Sequence, residues 1–465
     1  MERTKDKALG QEEDGIMDSK ERIEEMNLLL ESKNLKKLRE VIIEQNEADI
    51  SEFIENLPKE KAVIVFRTLP KDLAAEVFSN LEVEFQEKVI NEITDQELGV
   101  ILHEMFMDDM VDMLEELPAG VVKRVLKNTD EKTRGTINTF LKYGKDTAGS
   151  IMTAEYTNLR ANMTVKEAIE YLRVNGEDSE TIYTCFVIDE DRVLDGMVTL
   201  RTLLLSKDEE KVIDIMDSNV IKVHTDNDKE MVAQLFTKYD YLTLPVVDSE
   251  DRLVGIITVD DIIDVMEDET TEDFEKMAGT FPSLKPYLKT SPWVLARNRI
   301  VWLTILMISG MITGGILAKY EDAFIAIPLL VTFIPMMTNT GGNAGSQAST
   351  LVIRGMVLNE IKMNDGLKVL WKELRVSIIV GIFLAVINYI RLILTYPGRY
   401  DIILVVSIAI FFTVMIAKMV GGLLPLVAKF FKVDPAIMAS PMITTIVDAL
   451  SLMIYFYLAE LILHI

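Results

Sequence analysis

The stretch Ala436-Ile-Met-Ala-Ser-Pro-Met-Ile-Thr-Thr-Ile-Val-Asp448, continued by an apolar run to Leu463, decides the fold class. Roughly 20 consecutive apolar residues cross a bilayer, so this segment reads as a membrane span. Asp448 lies near its middle. A carboxylate at that depth is costly and normally faces a partner, a water-filled path or an ion. Thr444 and Asp448 are four residues apart and share a helix face, with Thr445 beside them, so that face offers hydroxyl and carboxylate oxygens to a hydrated cation. Pro441 is expected to free a backbone carbonyl one turn back, near Ile437. The competing reading of Asp448 is an ion pair with Lys418. Asp434, ahead of Pro435, is equally consistent with a helix cap and with a metal ligand at the inner mouth.

Four further segments upstream are long and apolar: Ile300 to Leu317, Ala323 to about Met337, Val376 to Leu394, and Ile402 to Ala428. Five spans are therefore expected. The second runs into Asn339-Thr-Gly-Gly-Asn-Ala-Gly-Ser-Gln347, a poor sequence for a lipid-facing helix. Its glycines allow unwinding around a pore, with Asn343 and Gln347 offering amide oxygens, or close helix packing. Loop charge sets orientation. Lys285, Lys289, Arg297 and Arg299 precede the first span, Arg354 to Arg375 holds five basic residues between the second and third, and Lys429 and Lys432 lie between the fourth and fifth. The alternate connections carry only Lys319, and Arg391 with Arg399. The N-terminus is thus expected in the cytoplasm and the C-terminus outside, in a multi-pass protein of the cell (inner) membrane.

Charge divides the 465-residue chain. From residue 291 onward there are 13 Lys+Arg against 9 Asp+Glu, and before it 35 against 65. An acidic soluble half joined to a membrane half follows, and nucleic acid is excluded as a partner because it demands basic patches. Cys185 is the single cysteine, and His103, His224 and His464 are scattered. Any metal site is therefore expected to use oxygen ligands, which suit Mg²⁺, Ca²⁺ or Mn²⁺. Met1 to Glu25 is charged and lacks an apolar signal core. No Walker A or P-type pump motif is visible, so an enzyme is not expected.

The soluble half begins with short helices punctuated by Leu-Pro pairs, at Pro58, Pro70 and Pro118, in a degenerate helical repeat. Within it, residues 107–118 concentrate carboxylates, Asp109 and Asp112 among them, for which a solvated helix face is the default reading. From Ala148 to Met266 a strand–helix pattern occurs twice, with Ile151-Met-Thr and Ile215-Met-Asp opening the two copies. This resembles a tandem pair of CBS domains. The second copy carries the ribose-contact pattern Thr258-Val-Asp-Asp261, whereas the first has Thr199-Leu-Arg-Thr202 without the acid. The resemblance implies ATP or another adenine nucleotide as a possible ligand through Thr258 and Asp261; a pair that binds no nucleotide is equally compatible. An acidic run follows, Asp260 to Asp273, in which Asp261, Asp264 and Asp268 share one helix face. Facing like charges are unfavourable unless bridged, so the run reads as a divalent-cation sensor or as a solvated acidic helix.

Taken together, Gly341-Gly-Asn-Ala-Gly-Ser-Gln347, Asp434-Pro-Ala, Pro441-x-x-Thr-Thr-x-x-Asp448 and the acidic run resemble the MgtE family of magnesium channels over nearly the whole chain. The resemblance implies a multidomain protein: a charged, disordered N-terminus at 1–22, an α-helical N domain at 23–135, a tandem CBS (α+β) pair at 136–268, a connecting plug helix at 269–294 and a five-helix transmembrane domain at 295–465. It implies a homodimer in the lipid bilayer with Asp448 contributed twice to hydrated Mg²⁺, alongside Thr444, Asn343 and Ile437. It also implies a cytosolic Mg²⁺ sensor. Asp261, Asp264, Glu269, Glu272 and Asp273 match that acidic run, and Asp109 or Asp112 is the N-domain partner. Ser440 and Ser451 stand where glycine is expected, and Val447 where asparagine is frequent. The function implied is a Mg²⁺-selective, Mg²⁺-gated channel. The alternatives are a gradient-coupled transporter of Mn²⁺ or Co²⁺, and a non-transporting membrane nucleotide sensor.

Overall fold

The computed structural model describes residues 22–283 and 287–464, the side chains of residues 322–324 and 440 excepted. The charged segment 1–22 thus falls, Arg22 aside, outside the described residues, as do Lys285, Pro286, Ile465 and the Ser440 side chain. The chain forms two units, Met1–Met266 and Glu267–Ile465.

In the first unit, short helices run from Leu35–Ile42 to Glu131–Phe140. Their punctuation is that of the Leu-Pro pairs. Pro58, Pro70 and Pro118 each stand at the N-cap of the helix that follows. A residue before proline is driven out of the helical region, so each preceding helix stops, and Leu69 and Leu117 turn into the core. Helix α1 (Met107–Glu116) shows how the acidic segment folds: Met107, Met110, Val111, Met113 and Leu114 are buried on one side, and Asp109 and Asp112 stand on the other.

Two three-stranded sheets of identical topology follow. In the first, β1 (Tyr156–Leu159) runs parallel to β2 (Thr181–Ile188), which pairs antiparallel with β3 (Leu194–Thr199). In the second, β4 (Val223–His224), β5 (Thr243–Val247) and β6 (Leu253–Thr258) repeat that order. The opening segments of the two copies are not strands of their own sheets. Thr153 instead exchanges backbone hydrogen bonds with Ile256 of β6, at 2.8 and 3.0 Å, and Asp217 does so with Met197 of β3, at 2.8 and 2.9 Å. Each repeat thus completes the edge of the other, a pairing that local periodicity does not reveal.

Helix α2 (Val259–Met277) starts directly after β6 and runs without a break through the acidic run. The segments given above as the end of the CBS pair and the start of the connecting helix therefore lie on one 19-residue helix. In the second unit come α3 (Pro292–Lys319), α4 (Ile334–Val357), α5 (Gly366–Thr395), α6 (Tyr400–Phe430) and α7 (Ser440–Leu463). Among the described residues, four stretches are long and apolar enough to cross a membrane: Pro292–Lys319, Met363–Thr395, Tyr400–Phe430 and Pro435–Leu463. Helix α4 is 24 residues long but carries the polar run.

The second span departs from the sequence expectation. A short helix, Glu321–Ala326, and a 3-10 turn, Pro328–Phe333, precede α4, and α4 then runs straight through Asn339–Gln347. Ile327 is held out of the helical region before Pro328, and Pro335 suits the first turn of α4. The polar stretch stays wound because it packs tightly. A Cβ on Gly345 would lie 2.7 Å from Ile443 Cγ2 and 3.2 Å from the Ala417 carbonyl oxygen, and one on Gly421 would collide with the Gly345 backbone. Helices α4 and α6 therefore meet backbone to backbone, and α7 lays the side chains of Ile443, Thr444 and Val447 on the same glycine strip. The core of this unit is closed by Tyr455, whose hydroxyl donates to the Leu330 carbonyl at 3.0 Å.

Candidate functional site

The last apolar segment divides in two. A 3-10 turn, Pro435–Met438, ends at an extended Ala439, and α7 begins only at Ser440. Pro441 therefore occupies the first turn of α7, where no intrahelical bond is lost. It does not free a carbonyl at Ile437, which sits in the 3-10 turn. The Pro441 carbonyl instead accepts hydrogen bonds from the Thr444 and Thr445 hydroxyls, at 2.9 and 3.1 Å. Asp434 Oδ1 caps the 3-10 turn by accepting from the Ala436 N–H at 2.9 Å, and the Ser349 hydroxyl donates to the Met438 carbonyl at 3.2 Å, fixing the turn to α4.

Asp448 is half-buried and borders Gly342: its Oδ1 lies 3.8 Å from where a Gly342 side chain would begin, with Thr444 Cγ2 at 3.0 Å from the same point. Thr444 and Asp448 thus share a face of α7 against the glycine strip of α4. Among the described residues, no ion pair joins Asp448 to Lys418, which is buried on α6. Asn343 is exposed on α4, donates to Asn339 at 3.1 Å, and lines up with the exposed Gln347. Val447 and Ser451 are among the buried partners of α4: a Cβ on Gly341 would lie 2.9 Å from Val447 Cγ1 and 2.5 Å from Ser451 Oγ. These two departures from the family pattern are packing positions.

A second cluster lies within the first unit. Asp108, Asp109 and Asp112 of α1 face Asp260 and Asp261 at the start of α2, with Glu180 from the loop before β2. Burial, reinforced by Asp261 and Asp109, pushes the Asp112 carboxyl up to about 7 although that side chain keeps an exposed edge. Burial and then Asp261, Asp260 and Asp109 push Glu180 up to about 7. Burial also carries Asp109 and Asp261 to about 6, against opposing hydrogen bonds from Ser79 and Thr258 respectively, and raises Asp108 as well. Glu180 Oε2 is buried without a hydrogen-bond partner among the described residues. A carboxylate oxygen so placed costs free energy unless a proton or a cation meets it. Among the described residues no three acidic, histidine or cysteine side chains converge enough to cage an ion directly.

Of these residues, sequence reasoning singled out Asp109, Asp112 and Asp261, included Asp108 and Asp260 only as members of the two acidic stretches, and missed Glu180 and Glu155. Glu155 stitches the acidic segments: its Oε2 accepts from the Thr153 hydroxyl at 2.7 Å and the Met107 N–H at 3.3 Å. No local pattern marks Glu180 or Glu155, since only the fold brings them to α1. Asp261 also accepts the Thr258 hydroxyl at 2.6 Å, so the residues read as a nucleotide contact already bond to each other. Further along α2, Asp264 and Asp268 are exposed and Glu269 is half-buried. Near its end, Lys276 joins Glu272 to Asp434, at 2.7 Å from the latter. Burial, followed by the charge of Asp434, raises Asp273 to about 6.

Comparison with known proteins matches this division. Residues 334–458 match the family described as MgtE, divalent cation transporter; 45–146 match the MgtE intracellular N domain; 148–208 and 212–268 match CBS domains. The chain is 34% identical to the magnesium transporter MgtE of Bacillus subtilis over 437 residues, 94% of this chain and 96% of that one. It is 36% identical to the magnesium transporter MgtE of Thermus thermophilus over 362 residues, 77% and 80% of the two chains. A solved structure of the soluble part of a magnesium transporter, 32% identical, superposes with a TM-score of 0.51 and covers 54% of this chain and 99% of its own. With helical N domain, CBS pair and apolar helices all matched, over nearly the full length of the Bacillus relative, the chain belongs to the MgtE family.

Proposed function

We propose that this protein is a Mg²⁺ channel of the cell membrane, working as a homodimer with its N-terminus in the cytoplasm, and that cytosolic Mg²⁺ closes it. The observation that carries the reading is the Thr444–Asp448 face of α7, a half-buried carboxylate with no ion pair to Lys418, bordering Gly342 on α4. Mg²⁺ sheds water reluctantly, so a hydrated ion needs few direct ligands, and a pair of carboxylates from two copies suits it. The Asn343–Gln347 face of α4, exposed and polar in a single chain, is where a second copy would complete the path. Entry is driven by the inside-negative potential, about 4.6 kcal/mol per 100 mV for a divalent ion.

Regulation rests on the acidic cluster. At low cytosolic Mg²⁺ the facing carboxylates of α1 and α2 repel; at high Mg²⁺ hydrated ions bridge them and stabilise the closed arrangement. Helix α2 bears cluster acids at its start and Glu272, Asp273 and Lys276 near its end, so it can carry the change along its length. A nucleotide at Thr258 and Asp261 is a separate proposal, and it requires their mutual hydrogen bond to open. The test is Mg²⁺ flux into proteoliposomes under an imposed potential. The reading requires flux in the parent, its loss in Asp448→Ala, and its suppression by millimolar Mg²⁺ on the cytoplasmic face.

A further inference from the structure

Lys276 stands on the last turn of α2, and its ammonium lies where two carboxylates meet. Nζ donates to Asp434 Oδ2 at 2.7 Å and also pairs with Glu272, one turn back on the same helix. All three side chains are largely shielded, with side-chain exposures of 23%, 32% and 33% for Lys276, Asp434 and Glu272. The ammonium thus has a carboxylate on each of two elements, one on its own helix and one at the turn that leads into α7. Asp434 is equally fixed, since its other oxygen caps the turn that leads into α7.

Three residues on, the chain reverses at Gly279, whose φ of +72° suits glycine. This residue packs against the Trp302 ring on α3, and a Cβ there would come within 3.0 Å of Pro441 on α7. The reversal is held by the Phe281 N–H donating to the Asn298 carbonyl at 3.2 Å and the Ser283 N–H donating to Glu275 at 2.6 Å. The segment that ends α2 is therefore attached to the membrane unit sterically at Gly279, by a backbone hydrogen bond at Phe281, and electrostatically at Lys276.

We infer that Lys276 is a positioning residue, a tethered cation that occupies Asp434 and Glu272 and holds the end of α2 at the entrance to α7 without a divalent ion. The inference deepens the gating reading above and rests on it. A lysine is a compact point charge that satisfies carboxylates one at a time, so it competes with Mg²⁺ for the same oxygens. The lysine thus sets how much Mg²⁺ is needed there and keeps the end of α2 in place when Mg²⁺ is scarce.

The experiment uses the full chain in proteoliposomes. Lys276→Gln should raise Mg²⁺ flux at vanishing cytoplasmic Mg²⁺ and lower the Mg²⁺ concentration that halves it by about tenfold, the scale of one charged hydrogen bond. Lys276→Arg should restore both parental values. Asp434→Asn should raise the basal flux without lowering the half-inhibiting concentration. A parental Mg²⁺ response in Lys276→Gln overturns the inference. Hydrogen exchange of amides 274–281 in Mg²⁺-free detergent separates the two readings: it should quicken in Lys276→Gln and not in Lys276→Arg. Quickening in a protein whose parent is insensitive to Mg²⁺ would retain the tether and sink the gate; unchanged exchange would sink the tether alone.

Discussion

Asp448 and Glu180 carry the same functional group in two different settings, and each supports a different test. Asp448 borders Gly342 along the Thr444 face of α7. Its conversion to Asn removes charge while preserving shape, so Mg²⁺ flux should fall by more than about tenfold with little change in thermal stability. Glu180 belongs to a group whose carboxyls sit at about 6 to 7 in the folded chain. The unfolded values lie near 4, so between roughly pH 4 and 7 the folded state binds more protons than the unfolded one. Stability from this cluster is therefore fully present at low pH and lost as pH rises through about 6 to 7. Melting of the full chain in chelator should show this fall, and millimolar Mg²⁺ should raise the midpoint more at pH 8 than at pH 5. Glu180→Gln should flatten both trends. Asp448 was legible in the sequence because an acid inside an apolar run stands out. Glu180 was not, since nothing around it in the chain signals that its oxygen is buried opposite α1.

At the scale of elements, α4 is the helix that sequence reading placed least well. The apolar run before it suggested a span ending near Met337, yet the helix begins at Ile334 and continues through the polar stretch. Periodicity shows which residues are apolar, whereas the winding of α4 depends on Gly345 and Gly421 letting α4 and α6 approach. Gly345→Val should destabilise the folded membrane unit by about 1 to 3 kcal/mol, the cost of overpacking. A lowered thermal midpoint in detergent would show it, and an unchanged midpoint would mean that α4 packs elsewhere. The same limit explains the CBS pair. Its two copies were legible from their repeated pattern, but the exchange of Thr153 and Asp217 between them follows from three-dimensional closure of the sheet edges.

For the whole molecule, the channel reading makes the electrochemical gradient of Mg²⁺ itself, the membrane potential included, the driving force. Uptake at fixed voltage should persist when proton and sodium gradients are dissipated, and coupling to either gradient would show as its loss. Cytosolic Mg²⁺ should also slow proteolysis of the soluble half of the full chain, whereas equal cleavage with and without Mg²⁺ would count against the proposed closure. By itself the sequence determined the division into an acidic half and an apolar half, the repeated CBS pattern and the acid on the last span. Each of these depends on composition or short-range periodicity, which the chain carries locally. The tertiary structure decided which acids face one another, that Val447 and Ser451 pack against the glycines of α4, and that Lys276 reaches Asp434 across a long separation in sequence. Those outcomes depend on how helices approach in space, and the cost of burying a charge depends on everything around it.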